Sequence, residues 1–174
     1  MRYVIVGLIN GEPYAFHEKL VEDVCSSFKV KRQKLQAHFT IKAPFKTDNI
    51  IEIEEITKQF CSCTAKSHFM INNYGHFSDK VVFMKIIPEE SMIDIGKRYI
   101  SCLKKITCLE WKPNENGNIV FHCTVVSKLP KDKFQNIWEY VKDYSCSFRC
   151  AFDNITIMKW DIDRWIIHKS YILK

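Results

Sequence analysis

Apolar residues run unbroken from Tyr3 to Ile9 apart from Gly7, with Val and Ile prominent, and predict a buried strand over 3–9. Asn10-Gly11-Glu12-Pro13 supplies a turn and a helix start. Leu20, Val21, Val24, Cys25 and Phe28 then recur at helical spacing, so 13–28 is expected to cover one face of a sheet. A basic linker, 29–36, ends that helix. From Gln36 to Ala43 the period changes to two: His38, Thr40 and Lys42 fall on one side, Ala37, Phe39, Ile41 and Ala43 on the other. Pro44 and Thr47-Asp48-Asn49 break this strand, and Ile50, Ile53, Ile56 and Phe60 trace a second helical stripe toward Cys61.

Two strands are expected over 67–77 and 80–87, turning at Ser78-Asp79. Pro88-Glu89-Glu90 opens a third helix whose apolar face is Met92, Ile95, Tyr99, Cys102 and Leu103 or Ile106. Its acidic start and Lys104-Lys105 end suit the helix dipole. The segment 112–118 is a strong breaker, 119–126 reads as a strand, and Phe134, Ile137, Trp138 and Val141 mark a fourth helix over 130–144. Strands near 147–159 and 164–172, around Asp161-Ile162-Asp163, close the chain. This order points to an α+β fold of two similar halves rather than an alternating parallel sheet.

Composition narrows the class. The 174 residues are 47% hydrophobic and 13% aromatic with five Gly and five Pro, which excludes disordered and collagen-like chains. The opening apolar run is too short for a secretory leader or a membrane span, so a soluble, cytoplasmic protein is expected. Eight cysteines without C-x-x-C spacing, Cys61 with Cys63 and Cys146 with Cys150 being the closest pairs, read as reduced thiols and call for no metal. A net charge of +6 favours phosphate-bearing partners, and Lys29-Val30-Lys31-Arg32-Gln33-Lys34 is the densest basic cluster, either a solvated loop or a docking site.

The chemistry lies in two matching units, Ala37-His38-Phe39-Thr40-Ile41 and Phe121-His122-Cys123-Thr124-Val125, both on expected strands. Six His and seven Thr in this length would produce about 0.24 H-x-T units by chance. On a strand, positions i and i+2 share a pleat face, so each imidazole stands beside its hydroxyl, roughly 6.6 Å along the chain. If the strands meet across a pseudo-twofold groove, the four side chains cradle one phosphate. Displacement at phosphorus needs a base for the attacking hydroxyl and an acid for the departing oxygen. Histidine titrates near neutrality and serves both tasks, while threonine hydroxyls donate to the non-bridging oxygens. Lys42, on the same expected face, adds positive charge. His17, His68, His76 and His168 lack a threonine partner and read as structural, His76 being the first candidate exception. Phe45, Tyr74, Phe77 and Trp111 serve either the core or a stacked base.

His38-Phe39-Thr40-Ile41-Lys42-Ala43-Pro44-Phe45 and His122-Cys123-Thr124-Val125 resemble the motifs of the two-histidine (2H) phosphoesterase superfamily, particularly its bacterial 2′-5′ RNA ligase-like members. The resemblance covers most of the chain. It implies a single bilobal α+β domain over 1–174, with two interleaved, pseudo-twofold lobes of antiparallel sheet and helices around a central groove, one H-x-T unit from each. It implies activity on 2′,3′-cyclic phosphates, 2′-5′ linkages or related cyclic nucleotides, with His38, Thr40, His122 and Thr124 catalytic and no metal or cofactor. Lys42 and Phe45 match neighbouring positions and are carried over as substrate-binding. The expected partner is a nucleotide or RNA substrate, with no membrane and no obligatory protein partner, and the chain is expected to be a monomer. Which histidine is acid and which is base stays open, because ligation is cleavage reversed. A non-catalytic RNA- or nucleotide-binding module using the same groove, and a zinc protein built on the cysteines, are the competing readings.

Overall fold

In the computed structural model, which describes residues 1–107, 109–112, 115 and 120–174, the apolar patterns become eight strands and four helices. In order they are β1 (Arg2–Leu8), α1 (Glu12–Phe28), β2 (His38–Lys46), α2 (Ile51–Ser62), β3 (Ser67–Phe77), β4 (Val81–Pro88), α3 (Glu90–Leu103), β5 (His122–Ser127), α4 (Lys131–Lys142), β6 (Ser147–Phe152), β7 (Asn154–Asp161) and β8 (Arg164–Ile172). The strands form two four-stranded antiparallel sheets, ordered β2-β1-β7-β8 and β5-β4-β3-β6, so the architecture is α+β as expected.

One expectation is corrected. The strand near 147–159 is two strands: β6 pairs with β3 in the second sheet, and β7 pairs with β1 in the first. The changeover is a slip in the phase of alternation, since the core positions are Cys150 and Phe152 before Asp153 but Ile155 and Ile157 after it. A one-residue slip of this kind exchanges the faces of a strand. The first sheet therefore joins the two ends of the chain, and the second is built from its middle.

The two sheets share one hydrophobic core, with Ile5, Phe39 and Ile157 from the first and Phe69, Met84 and Val125 from the second. A smaller cluster of Val4, Val6, Leu8 and Met158 lies on the opposite face of the first sheet, with Leu35 and Trp165 packed over it. β1 is thus buried on both faces, which is why its sequence is continuously apolar rather than alternating. Two β-α-β units, β1-α1-β2 and β4-α3-β5, each end on an edge strand. Their helices reach across: α1 packs on β5 and α4, and α3 packs on β2 as well as on β3, β4 and α2. No helix among the described residues is long and apolar enough to cross a membrane.

Candidate active site

His38 and Thr40 share a face because they lie opposite Leu8 and Val6, alternate residues of β1. His122 and Thr124 lie opposite Lys85 and Phe83, alternate residues of β4. Each strand then bulges just after its threonine: Ile41 intervenes between the Thr40–Val6 and Lys42–Ile5 pairs, and Val125 between the Thr124–Phe83 and Val126–Val82 pairs. The two units are therefore alike in backbone as well as in sequence. β2 and β5 are edge strands of different sheets and pack against each other, which brings the units together.

Aromatic packing fixes this meeting. Phe39, between His38 and Thr40, is buried with its ring edge-on to Phe69 at 5.5 Å, Phe121 at 5.4 Å and Phe152 at 5.1 Å. Phe121 is the neighbour of His122, so one ring contact ties the two motifs. On β1, Gly7 pairs with Phe39 and leaves room for its ring.

Both imidazoles are held in the same way. His38 Nδ1 lies 2.6 Å from the Gln36 carbonyl, and His122 Nδ1 lies 2.8 Å from the Val120 carbonyl. A carbonyl only accepts, so each Nδ1 carries a proton, and in the neutral ring Nε2 is the lone pair. Among the described residues neither Nε2 has a hydrogen-bond partner, nor has the hydroxyl of Thr40 or Thr124.

Their surroundings differ. His38 is 8% exposed, and burial pushes its ring down to about 4, outweighing the Gln36 carbonyl that favours the charged form; charge on His17 and His122 pushes the same way. At neutral pH His38 is an uncharged ring whose Nε2 carries a lone pair. His122 is less buried and lies between Phe77, edge-on at 4.9 Å, and Phe83 at 5.1 Å. The thiol of Cys123, between His122 and Thr124, is fully buried and pushed up to about 12, which suits packing rather than nucleophilic attack.

Two supporting residues were not singled out by pattern. His17 continues the buried stripe of Leu20, Val21 and Val24, and its Nε2 donates to the Thr124 carbonyl at 2.8 Å. β5 is an edge strand, and this bond satisfies a carbonyl on it. Asn154 uses its side chain as a short piece of strand: Oδ1 accepts from the Leu8 N–H at 3.0 Å and Nδ2 donates to the Leu8 carbonyl at 2.9 Å, bracing the residue opposite His38. The helical stripe offered a signal for His17; nothing in the local pattern marks Asn154.

Lys42 is a correction. The bulge at Ile41 turns it to the face of Ile5, away from Thr40, and it is 1% exposed. Its ammonium bonds both carboxylate oxygens of Glu115 at 3.0 Å and sits 4.5 Å from the Trp111 ring and 5.5 Å from the Phe45 ring. Glu115 also accepts from the Ala43 and Lys112 N–H groups. Burial alone would raise its carboxyl, but the Lys112 N–H, the Lys42 ammonium and the Ala43 N–H together hold it below the usual range. Phe45 is buried against Tyr3, centroids 6.1 Å apart, rather than beside the histidines. Lys42 thus ties Glu115 and Trp111 to β2, and Phe45 lies under the same ammonium. Of the other aromatic candidates, Tyr74 is buried, Trp111 covers Lys42, and Phe77 stands at His122.

The remaining histidines lie elsewhere. His76 is exposed on the helix side of β3, against Phe134 and Trp138, with Nδ1 2.7 Å from the Ser78 carbonyl. His168 pairs with Glu54 at 2.7 Å. His68 lies on β3 opposite Ala151. Among the described residues no three His, Cys, Asp or Glu side chains gather where a metal ion would sit.

Known proteins share this fold. The family model described as the 2′-5′ RNA ligase superfamily matches residues 12–164, which include both H-x-T units. The chain belongs to the 2′-5′ RNA ligase superfamily. Solved structures agree on the fold at low identity. TT0787 of Thermus thermophilus superposes with a TM-score of 0.70 at 11% identity, covering 99% of this chain and 98% of that one. Escherichia coli LigT in complex with NADP+ superposes with a TM-score of 0.61 at 12% identity, covering 99% and 97%. LigT in complex with 3′-AMP gives 0.59 at 12%, again over 99% and 97%. No curated protein matches the chain significantly. The matched span, 12–164, includes β2 and β5 with their bulges.

Proposed function

We propose that this member of the 2′-5′ RNA ligase superfamily is a metal-independent phosphodiesterase acting on 2′,3′-cyclic phosphate, 2′-5′-linked or related cyclic nucleotide and RNA substrates. The observation that carries the reading is the matched pair of imidazoles, each donating its Nδ1 proton to a carbonyl two residues upstream and each, among the described residues, leaving Nε2 and the hydroxyl of its threonine without a partner. The nucleotides bound in LigT, 3′-AMP and NADP+, support a nucleotide-type substrate for this chain.

The difference in burial between the rings supports one division of roles in the hydrolytic direction. His38, held neutral by burial, takes a proton from the attacking water at Nε2 as the new O–P bond forms. The bond to the departing ribose oxygen breaks, and His122, as the acid, gives that oxygen a proton from Nε2. Thr40 and Thr124 donate to the non-bridging oxygens, whose charge rearranges in the transition state. For a 2′-5′ linkage the neighbouring ribose hydroxyl replaces water, and ligation runs the same steps backward with the roles exchanged.

The test is turnover by the wild type, His38→Ala and His122→Ala in EDTA, on 2′,3′-cyclic nucleotides, 2′-5′ and 3′-5′ oligonucleotides and cyclic messengers. Each substitution should lower the rate by roughly 10²–10⁴-fold, the usual range for a general acid or base, with binding largely kept. Binding by the wild type without turnover of any substrate would replace the enzyme with a nucleotide-binding module. Loss of wild-type activity in the chelator would overturn the metal-free mechanism.

A further inference from the structure

Beyond the histidines lies a cleft of about 590 Å³ walled on one side by Lys29, Lys31, Arg32 and Lys34 of the α1–β2 linker and on the other by Ser127 and Lys128 at the end of β5. All five of its cations are exposed. Arg32 is paired with Glu18, but among the described residues no carboxylate pairs with Lys29, Lys31, Lys34 or Lys128. Lys29 and Lys128 face the cleft from opposite walls with left-handed backbones, φ 51° and 57°. Glycine or asparagine adopts that conformation most easily, and a lysine there costs roughly 1 kcal/mol or more. The wall is also braced, because Lys133 of α4 donates to the Phe28 carbonyl at 2.8 Å at the end of α1.

The cleft continues the catalytic face. Ser127 pairs with Val81, as Thr124 pairs with Phe83 and His122 with Lys85, so the bulge at Val125 returns Ser127 to the face of the two motif residues. In the other lobe Leu35 packs on the cluster that includes Val6 and Leu8, the residues opposite Thr40 and His38, and the Lys34 ammonium stands 5.1 Å from the Trp160 ring. Thr124 and Ser127 lie opposite β4 residues two apart, Phe83 and Val81, which is roughly 7 Å at the strand rise. The cleft at Ser127 therefore stands beyond a phosphate held by Thr124, on the path of the next phosphates of the same chain.

We propose that this cleft binds two backbone phosphates of a single-stranded oligonucleotide whose reacting phosphate lies at His38 and His122, making the preferred substrate an oligonucleotide end rather than a mononucleotide. The inference rests on the proposed phosphodiesterase for its reacting phosphate, but the cleft itself is tested by binding alone. The test pairs Lys31→Gln with Lys128→Asn, asparagine being chosen because it tolerates the left-handed backbone. A control pair, Lys58→Gln with Lys97→Gln, removes the same charge from α2 and α3. Affinity for a six-nucleotide RNA ending in a 2′,3′-cyclic phosphate is measured by fluorescence anisotropy across a salt series with His38→Ala in each background to prevent turnover, alongside kcat/KM on that RNA and on 2′,3′-cyclic AMP.

The cleft pair should weaken RNA binding about tenfold at low salt and flatten the plot of log affinity against log salt by about 1.4, at about 0.7 per lost single-strand contact. The preference for RNA over the mononucleotide should fall about tenfold, and the control pair should retain the wild-type slope. An unchanged slope, or an equal change in the control, would overturn the cleft. If no form turns over either substrate, the enzyme reading fails while the anisotropy slope still decides the cleft.

Discussion

Replacing Gly7 by alanine tests how the fold holds the first H-x-T unit. A Cβ on Gly7 would stand 2.1 Å from Phe39 Cζ and 2.6 and 2.7 Å from its two Cε atoms. Non-bonded carbons rest about 3.5–4.0 Å apart, so the ring must retreat by more than about 1 Å. Phe69, Phe121 and Phe152 meet it edge-on within 5.5 Å, and it is packed into the main core. Overpacking of such a core costs about 1–3 kcal/mol. Any retreat also moves the strand carrying His38 and Thr40, and a 1 Å misplacement of reacting groups lowers rate by about 10²-fold. Gly7→Ala should therefore lose about 1–3 kcal/mol in urea unfolding and about 10²-fold in kcat. Phe39→Leu should cost about 1–2 kcal/mol through the space it leaves. Because leucine has no atom where Cζ stood, the double variant should be more stable than the sum of the single losses by about 1 kcal/mol or more. A Gly7→Ala protein within about 0.5 kcal/mol of wild type, or strictly additive losses, would refute this account of the motif.

Three further outcomes are expected. The depressed His38 leaves stability intact above its ordinary value of 6.5; as pH falls from there to about 4 the unfolded chain binds a proton that the folded one refuses, and about 3 kcal/mol is lost. The unfolding free energy of wild type minus His38→Gln should change by that amount between pH 7 and pH 4, and a constant difference would show that the ring is not buried neutral. Lys42→Met should cost about 3–5 kcal/mol by stranding the Glu115 carboxylate, with Glu115→Gln in the same chain restoring much of it in a urea double-mutant cycle. His17→Phe removes the donor to the Thr124 carbonyl and should cost about 1–3 kcal/mol, with kcat falling while substrate affinity holds; equal loss of both would give His17 no positioning role.

Much of this site could be read in one dimension. Period-two alternation places His38 with Thr40 and His122 with Thr124, and the register of β2 against β1 and β5 against β4 agrees. The same reasoning misplaced Lys42, because alternation counts residues and a bulge adds one without any mark in the side-chain pattern. The division of 147–159 into β6 and β7 was visible as a slip in phase at Asp153, but a slip does not say which strands the two pieces join. His17 lay on the buried stripe of α1, whereas Asn154 gained its bracing contact only when Leu8 came within its reach.

The sequence by itself determined the α+β class, the order of most elements, the two H-x-T units and the side of each strand they occupy, since these depend on local period and residue chemistry. The tertiary structure decided which strands share a sheet, that the two motif strands are edges that meet, that one histidine is buried neutral while the other is more open, and that Lys42 serves the core. Those properties arise from partners far apart in the chain: burial, hydrogen-bond register and the field of one imidazole on the other have no value until both sheets close on the same core.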